Sequence, residues 1–169
     1  IPLGFCNIGC HLCPCFLKTV YILFMAYSGT FRPTNPQKYV GDYKNIIYRS
    51  SWEARFMHKF DKEDWVISWS SEEIVVPYVS PVDGKWHRYF PDFVIRVKNN
   101  KGELSTWMIE VKPKKQTKSP QQQRRVTKQY ITEVTTWGVN QSKWKAATEF
   151  CLDRGWEFVI FTEDQLPKV

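Results

Sequence analysis

Apolar positions recur with two different periods along this chain, and the changes of period mark its elements. Ser50-Ser51-Trp52-Glu53 has the pattern of a helix start, and Trp52, Phe56 and Phe60 follow at intervals of four, which predicts a short helix ending near Asp61. Residues 65–70 and 74–79 are β-branched and aromatic. A turn at Ser80-Pro81-Val82-Asp83-Gly84 leads into 86–97, and a second at Asn99-Asn100-Lys101-Gly102 returns into 104–111, together an antiparallel meander. Ser119-Pro120 then reads as an N-cap and first-turn proline, with Val126, Tyr130, Val134 and Trp137 as an apolar stripe of helical period. A further helix is predicted from Gln141 to Arg154, burying Trp144, Ala147 and Cys151 and stopping at Gly155, and 156–162 reads as a buried strand. This order predicts an α/β fold, a mixed β-sheet flanked by helices on both faces. Trp52, Trp65, Trp69 and Trp144 read as core.

Ahead of that pattern the chain is different. Residues 26–45, rich in Pro, Gly, Asn, Tyr and Lys, read as an extended arm without regular structure. Residues 1–24 carry one charge, Lys18, and four of the five cysteines, and Met25 follows, so they read as a leader ahead of the true start. The expected division is a non-native or disordered leader over 1–24, an arm over 25–45 and the folded domain over 46–169. A signal peptide wants a basic stretch before its apolar run, and a membrane helix wants about 20 continuous apolar residues. Lys18 lies on the wrong side for the first; Asn7, His11, Pro14 and Lys18 interrupt the second. Cys6-x3-Cys10-x2-Cys13 has the spacing of an iron–sulfur motif, and with His11 and Cys15 could supply zinc ligands, but the rest of the chain lacks the length and repeats of the barrel that a radical-SAM cluster serves.

Composition narrows the class. The 169 residues are 43% hydrophobic and 16% aromatic, enough for one globular core and too much for a disordered basic tail. Cys151 is the sole thiol beyond the leader, so the domain has no internal disulfide, which suits a reducing compartment. The net charge of +7 is concentrated: Lys112, Lys114, Lys115, Lys118, Arg124, Arg125 and Lys128 lie within 22 residues that hold no acid, and elsewhere the charges cancel. Such a run is commonly a solvated helix face, but one sign without compensation points to a polyanion.

The candidate chemistry sits immediately before that run. Pro91-Asp92 falls early in one strand and Glu110-Val111-Lys112 ends the next. Alternation puts Glu110 and Lys112 on one face, and pairing about the 99–102 turn brings Asp92 to the same face. Asp92 and Glu110 supply hard oxygen ligands for Mg²⁺ or Mn²⁺, and Lys112 orients the nucleophile or stabilises charge on a phosphoryl transition state. The bland reading is a turn and a solvent-facing charge pair; the adjoining strands and basic run favour the site. Glu53, three residues after Ser50, reads foremost as a helix cap. His87 falls on the opposite face from Asp92 by parity, His58 on a helix surface, and Glu72-Glu73 in a solvated turn.

Asp92, Glu110 and Lys112 make the chain resemble the PD-(D/E)xK nuclease superfamily, and the element order from Ser50 to Thr162 resembles its restriction-endonuclease-like core. Many members add a glutamate from the first helix, which implies Glu53 as a third catalytic and metal-binding acid. SGTFRPTNPQKY, YRSSWEARFM, SEEIVVPYVSPVDGKWHRYFPDF and IEVKPK are similar to segments of the head-completion nucleases of T-even-type phages. TnsA-type transposon-end endonucleases share the general pattern, including a late Gly-Trp strand like Gly155-Trp156. The resemblance implies an Mg²⁺-dependent endodeoxyribonuclease acting before tail joining, in the host cytoplasm or with the virion, not secreted and without a membrane partner.

Lys114, Lys115, Lys118, Arg124, Arg125 and Lys128 are the expected contacts to the DNA backbone, which position a duplex without reading its sequence. That favours structure- or end-dependent cleavage. Two alternatives stand beside it: a virion assembly protein that binds DNA or phage portal and head proteins without cutting, and a junction-resolving nuclease, which implies a homodimer.

Overall fold

The computed structural model describes residues 28–167. Residues 1–24, expected to be a leader, with Cys6, Cys10, Cys13 and Cys15, lie outside the described residues.

Chain order is β1 (Gly29–Phe31), a 3-10 turn (Pro36–Lys38), β2 (Ile46–Tyr48), α1 (Ser51–Lys62), β3 (Val66–Ser71), β4 (Val76–Val79), β5 (Trp86–Tyr89), β6 (Phe93–Lys98), β7 (Leu104–Val111), a second 3-10 turn (Lys114–Thr117), α2 (Lys128–Leu152), β8 (Glu157–Phe161) and a last 3-10 turn (Glu163–Gln165). The central sheet has four strands in the order β3-β6-β7-β8. β3, β6 and β7 pair antiparallel, whereas β8 lies parallel to β7, reached through α2 as a parallel pair requires. The expected mixed sheet with flanking helices is therefore present.

Alternation along the strands divides the core in two. Phe93, Ile95 and Val97 of β6 and Ile109 and Val111 of β7 face α1, where they meet Phe56, Met57 and Phe60 together with Trp69 of β3. Met108 faces the other way, against Ala147 and Cys151 of α2 and Val76, Tyr78 and Tyr89 of the β4–β5 hairpin. Trp69 and Trp144 are buried, and Trp52 and Trp65 pack against the core edge, as their periodicity predicts.

Four expectations are corrected. First, the meander is not continuous. Residues 86–97 break at Phe90-Pro91-Asp92, β4 and β5 form a separate hairpin, and β3 pairs with β6 directly. Pro91 has no N–H for a ladder, so a strand is readily interrupted there. Second, the two predicted helices are one. Ser119-Pro120 stays outside it because Gln121 to Arg125 offers no apolar side chain to bury; the helix starts instead at Thr127, whose hydroxyl oxygen accepts from the Tyr130 N–H at 3.1 Å. Gly138 does not stop it; the helix runs on past the hairpin turn, where a Cβ on Gly138 would lie 3.9 Å from Pro81, an ordinary contact. The stripe is accordingly not core throughout: Val126 and Val134 are exposed. Third, β8 is a half-buried edge strand, not a fully buried one.

Fourth, the arm is ordered by specific contacts. β1 pairs with β2, and buried Asp61 at the end of α1 accepts from the N–H groups of Thr34 at 2.8 Å and Asn35 at 3.0 Å. Lys38 donates to the Asp61 and Glu63 carbonyls at the helix C-terminus, where a cation complements the dipole. Tyr39 packs edge-on against Trp69 with ring centroids 4.8 Å apart. Among the described residues no helix is long and apolar enough to cross a membrane.

Candidate active site

β6 and β7 pair in register from Phe93↔Ile109 to Lys98↔Leu104, so continuation by one residue sets Asp92 beside Glu110 at the end remote from their turn. That turn is closed by Gly102 at φ 85°, a left-handed conformation that glycine adopts without penalty. The Val111 N–H donates to Asp92 Oδ2 at 2.7 Å, tying the strand ends together. Lys112 Nζ lies 2.9 Å from Glu110 Oε1. The three residues expected to meet do meet, on the face that alternation assigned to them.

The electrostatics of this cluster are unbalanced. Glu110 is buried and Lys112 is partly covered, so two carboxylates share one ammonium away from bulk water. Burial, and then the charge of Glu110, push the Asp92 carboxyl well above the usual range, to about 8, against the opposing pull of Lys112 and the Val111 N–H. Burial works against the Lys112 ammonium, but Glu110 and Asp92 outweigh it and hold the group above its ordinary value. Asp92 and Glu110 together offer hard oxygen donors of the kind that suit a divalent cation of the Mg²⁺ or Mn²⁺ type. No group of three or more His, Cys, Asp and Glu capable of holding a metal occurs among the described residues, so such an ion would complete its shell with water or substrate oxygens.

Glu53, which the resemblance implies as a third acid, caps α1 in this structure. Its Oε1 accepts from the Ser50 hydroxyl at 2.8 Å and its Oε2 from the Arg49 N–H at 2.7 Å, while Ser50 Oγ accepts from the Glu53 N–H at 3.1 Å. Both of its oxygens serve the start of α1, and its charge is felt at Asp92 and Lys112 without contact.

Three neighbours were not anticipated. Tyr89, buried at the end of β5, donates its hydroxyl to Glu110 Oε2 at 2.6 Å. Lys143 of α2 stands over the rings of Tyr78 and Tyr89, 5.7 and 5.6 Å from their centroids. Arg49 pairs with Glu72, and that hydrogen bond, with the nearby charges of Glu53 and Asp92, strengthens its protonation. Glu72 is the one non-glycine residue among those described with positive φ, 56°, so the loop that offers it to Arg49 is under backbone strain. The break after Tyr89 hides its contact with Glu110, because parity counted through 86–97 fails where the strand is interrupted.

His87 lies in the hairpin, 2.9 Å from Asp83 and outside the cluster; His58 is exposed, its ring edge on Phe31. The basic residues are all solvent-exposed but not equivalent. Lys114 is engaged by the last 3-10 turn: its Nζ is 2.6 Å from Asp164, and its N–H donates to Glu163 at 2.8 Å. Lys115, Lys118, Arg124 and Arg125 lie along the connection from β7 to α2, not on a helix face, and Lys128 is the first residue of α2. A lysine at a helix N-terminus opposes the helix dipole, so its placement has no local benefit.

A mixed sheet in which two adjoining strands end in paired carboxylates and a lysine defines a restriction-endonuclease-like nuclease. A family model described as TnsA-like endonuclease N terminal matches residues 63–163, and the chain belongs to that endonuclease family. The Head completion nuclease of Enterobacteria phage T4 is 44% identical over 146 residues, which span 84% of this chain and 95% of that protein. The resemblance read from the motifs is thus borne out over most of the chain.

Proposed function

We propose that this chain is a divalent-metal-dependent endodeoxyribonuclease that trims or opens DNA during phage head completion, before tail joining. The observation that carries the reading is the Asp92–Glu110–Lys112 cluster, in which two carboxylates and one ammonium converge at the mouth of a basic segment. The similarity to a protein named for head completion supports the setting; we further propose action in the host cytoplasm, with portal or head proteins as neighbours.

Asp92 and Glu110 would hold Mg²⁺ or Mn²⁺, which supplies Lewis-acid stabilisation of charge on the phosphate. Glu110 is held in place from both sides, by the Tyr89 hydroxyl and by Lys112. Lys112 Nζ, once turned from Glu110 toward the scissile phosphate, donates to the oxygen on which charge accumulates. Glu53 adds negative charge behind the pair without leaving its cap. Lys115, Lys118, Arg124, Arg125 and Lys128 follow the phosphate backbone on the side where β7 ends.

The test is incubation of the full chain with linear, circular and branched DNA, with Mg²⁺, with Mn²⁺ and with chelator, beside Asp92→Asn, Glu110→Gln and Lys112→Ala. Metal-dependent scission that falls by about 100-fold or more in each variant is expected from loss of a transition-state contact. Binding without scission by the unaltered chain would leave an assembly protein with a nuclease fold. Preference for a four-way branch would assign it to junction resolution.

A further inference from the structure

The β4–β5 hairpin is built unlike the rest of the molecule. Its inner side, Val76, Tyr78 and Tyr89, packs on α2, but residues 81–88 are all exposed. Cross-strand pairing sets Val79 opposite Trp86 and Pro77 opposite Arg88, alternating with the packed side chains. Trp86, in β5, is 74% exposed, far more than a large aromatic side chain of a sheet ordinarily is, and Phe90, just beyond the strand, is 40% exposed. The Arg88 guanidinium lies over the Phe90 ring, 5.1 Å from its centroid.

This aromatic and cationic face leads directly into the catalytic cluster. β5 ends at Tyr89 and the chain runs on through Phe90-Pro91 to Asp92, and the hairpin is anchored at its base by the Tyr89 contact to Glu110. At most about 3.3 Å of chain separates successive residues, so Phe90 lies within about 7 Å of Asp92 and Trp86 within about 20 Å, a span of a few nucleotides. Lys85 and Arg88 are exposed beside Trp86, while Asp83 is taken up by His87. At the turn the hairpin meets α2 near Gly138, on the helix that begins at Lys128 in the basic run. Flat aromatic surface between cations suits nucleic-acid bases, and bases can stack on it only where they have left the duplex.

We infer that the outer face of this hairpin, Trp86 with Arg88 and Phe90, receives bases left unpaired beside the cleavage point, so that the preferred substrate is a DNA end or fork and not continuous duplex. The inference rests on the reading of the chain as a DNA nuclease. Trp86 acts here as a stacking platform, distinct from the groups that contact the phosphate.

The test uses the full chain carrying Asp92→Asn, which holds substrate uncut, and forked DNA with 2-aminopurine placed two to six nucleotides from the fork in the unpaired strand. Quenching of 2-aminopurine on binding is expected, with most of it lost on adding Trp86→Ala and part restored by Trp86→Phe. In the cutting protein, Trp86→Ala should lower the ratio of kcat/KM for forked over continuous DNA by about tenfold, the scale of one base stacked on an aromatic ring. Unchanged urea midpoints would show that this exposed position does not disturb the fold. Equal quenching with and without Trp86, or an unchanged ratio, overturns the inference, as does loss of self-association in Trp86→Ala without a change in quenching. Quenching is read without scission, so a chain that cuts no DNA sinks the nuclease reading separately.

Discussion

Tyr89 and Glu110 are 21 positions apart, and the Tyr89 hydroxyl reaches Glu110 Oε2 at 2.6 Å. Burial, with Glu110 alongside, raises the phenol far above its ordinary pKa, so it remains a donor at any working pH. Tyr89→Phe removes the donor and leaves a buried carboxylate oxygen unsatisfied. The Mg²⁺ concentration giving half-maximal cleavage should rise by about 10- to 100-fold, as for other groups that orient a metal ligand. Stability should fall by about 1–3 kcal/mol, read by urea denaturation. Unaltered metal dependence would remove Tyr89 from the positioning of Glu110.

Asp92 sets a pH dependence of the metal-free protein. Its carboxyl is held at about 8 in the native state, chiefly by burial and next by Glu110, against about 4 in an unfolded chain. Between those values the native state keeps a proton that the unfolded chain has released, so stability falls as pH rises. The contribution is whole below about 4 and gone above about 8. In chelator, urea midpoints of Asp92→Asn should therefore vary less between pH 5 and 9 than those of the unaltered protein, and stand higher at pH 9. Parallel pH profiles would show that Asp92 does not carry this charge.

Glu53 separates capping from coordination. With both oxygens committed to Ser50 and Arg49, Glu53→Gln should cost about 1 kcal/mol of stability and reduce cleavage by less than about tenfold. A loss equal to that of Asp92→Asn would mean that Glu53 leaves the cap to bind metal.

The basic connection can be dissected by salt. Each of Lys115, Lys118, Arg124 and Arg125 changed to Ala should weaken binding to all duplex sequences alike and reduce the slope of log affinity against log salt by about 0.9. Lys114→Ala should change the slope less, because Asp164 already neutralises it at 2.6 Å. Equal slopes for Lys114 and Lys115 would show that the Asp164 pair opens on DNA.

Asp61 is the fastening of the N-terminal arm. Asp61→Ala removes two charge-assisted bonds to Thr34 and Asn35 from a fully buried position, at a cost of about 3 kcal/mol. Hydrogen exchange at those two amides should accelerate before the central sheet is affected. Protection that persists would place the anchor in the β1–β2 pairing instead.

What the sequence alone determined is what short-range geometry governs. The Ser50 cap and the four-residue spacing of Trp52, Phe56 and Phe60 specify α1, because capping and helical period are local. Alternation specifies that Glu110 and Lys112 share a face, and the 99–102 turn brings Asp92 opposite, because a hairpin carries register from its turn to its far end. The basic run is a matter of counting. Tertiary structure decided the rest. Phe90-Pro91-Asp92 ends one strand and begins another, which frees the hairpin from the sheet and turns Tyr89 toward Glu110. Gly138 lies inside one long helix that runs past the hairpin turn, which local propensity does not record. Lys114 faces Asp164, 50 residues away, and Asp61 closes over the arm; both depend on where distant segments come to rest, and only the packed molecule sets that.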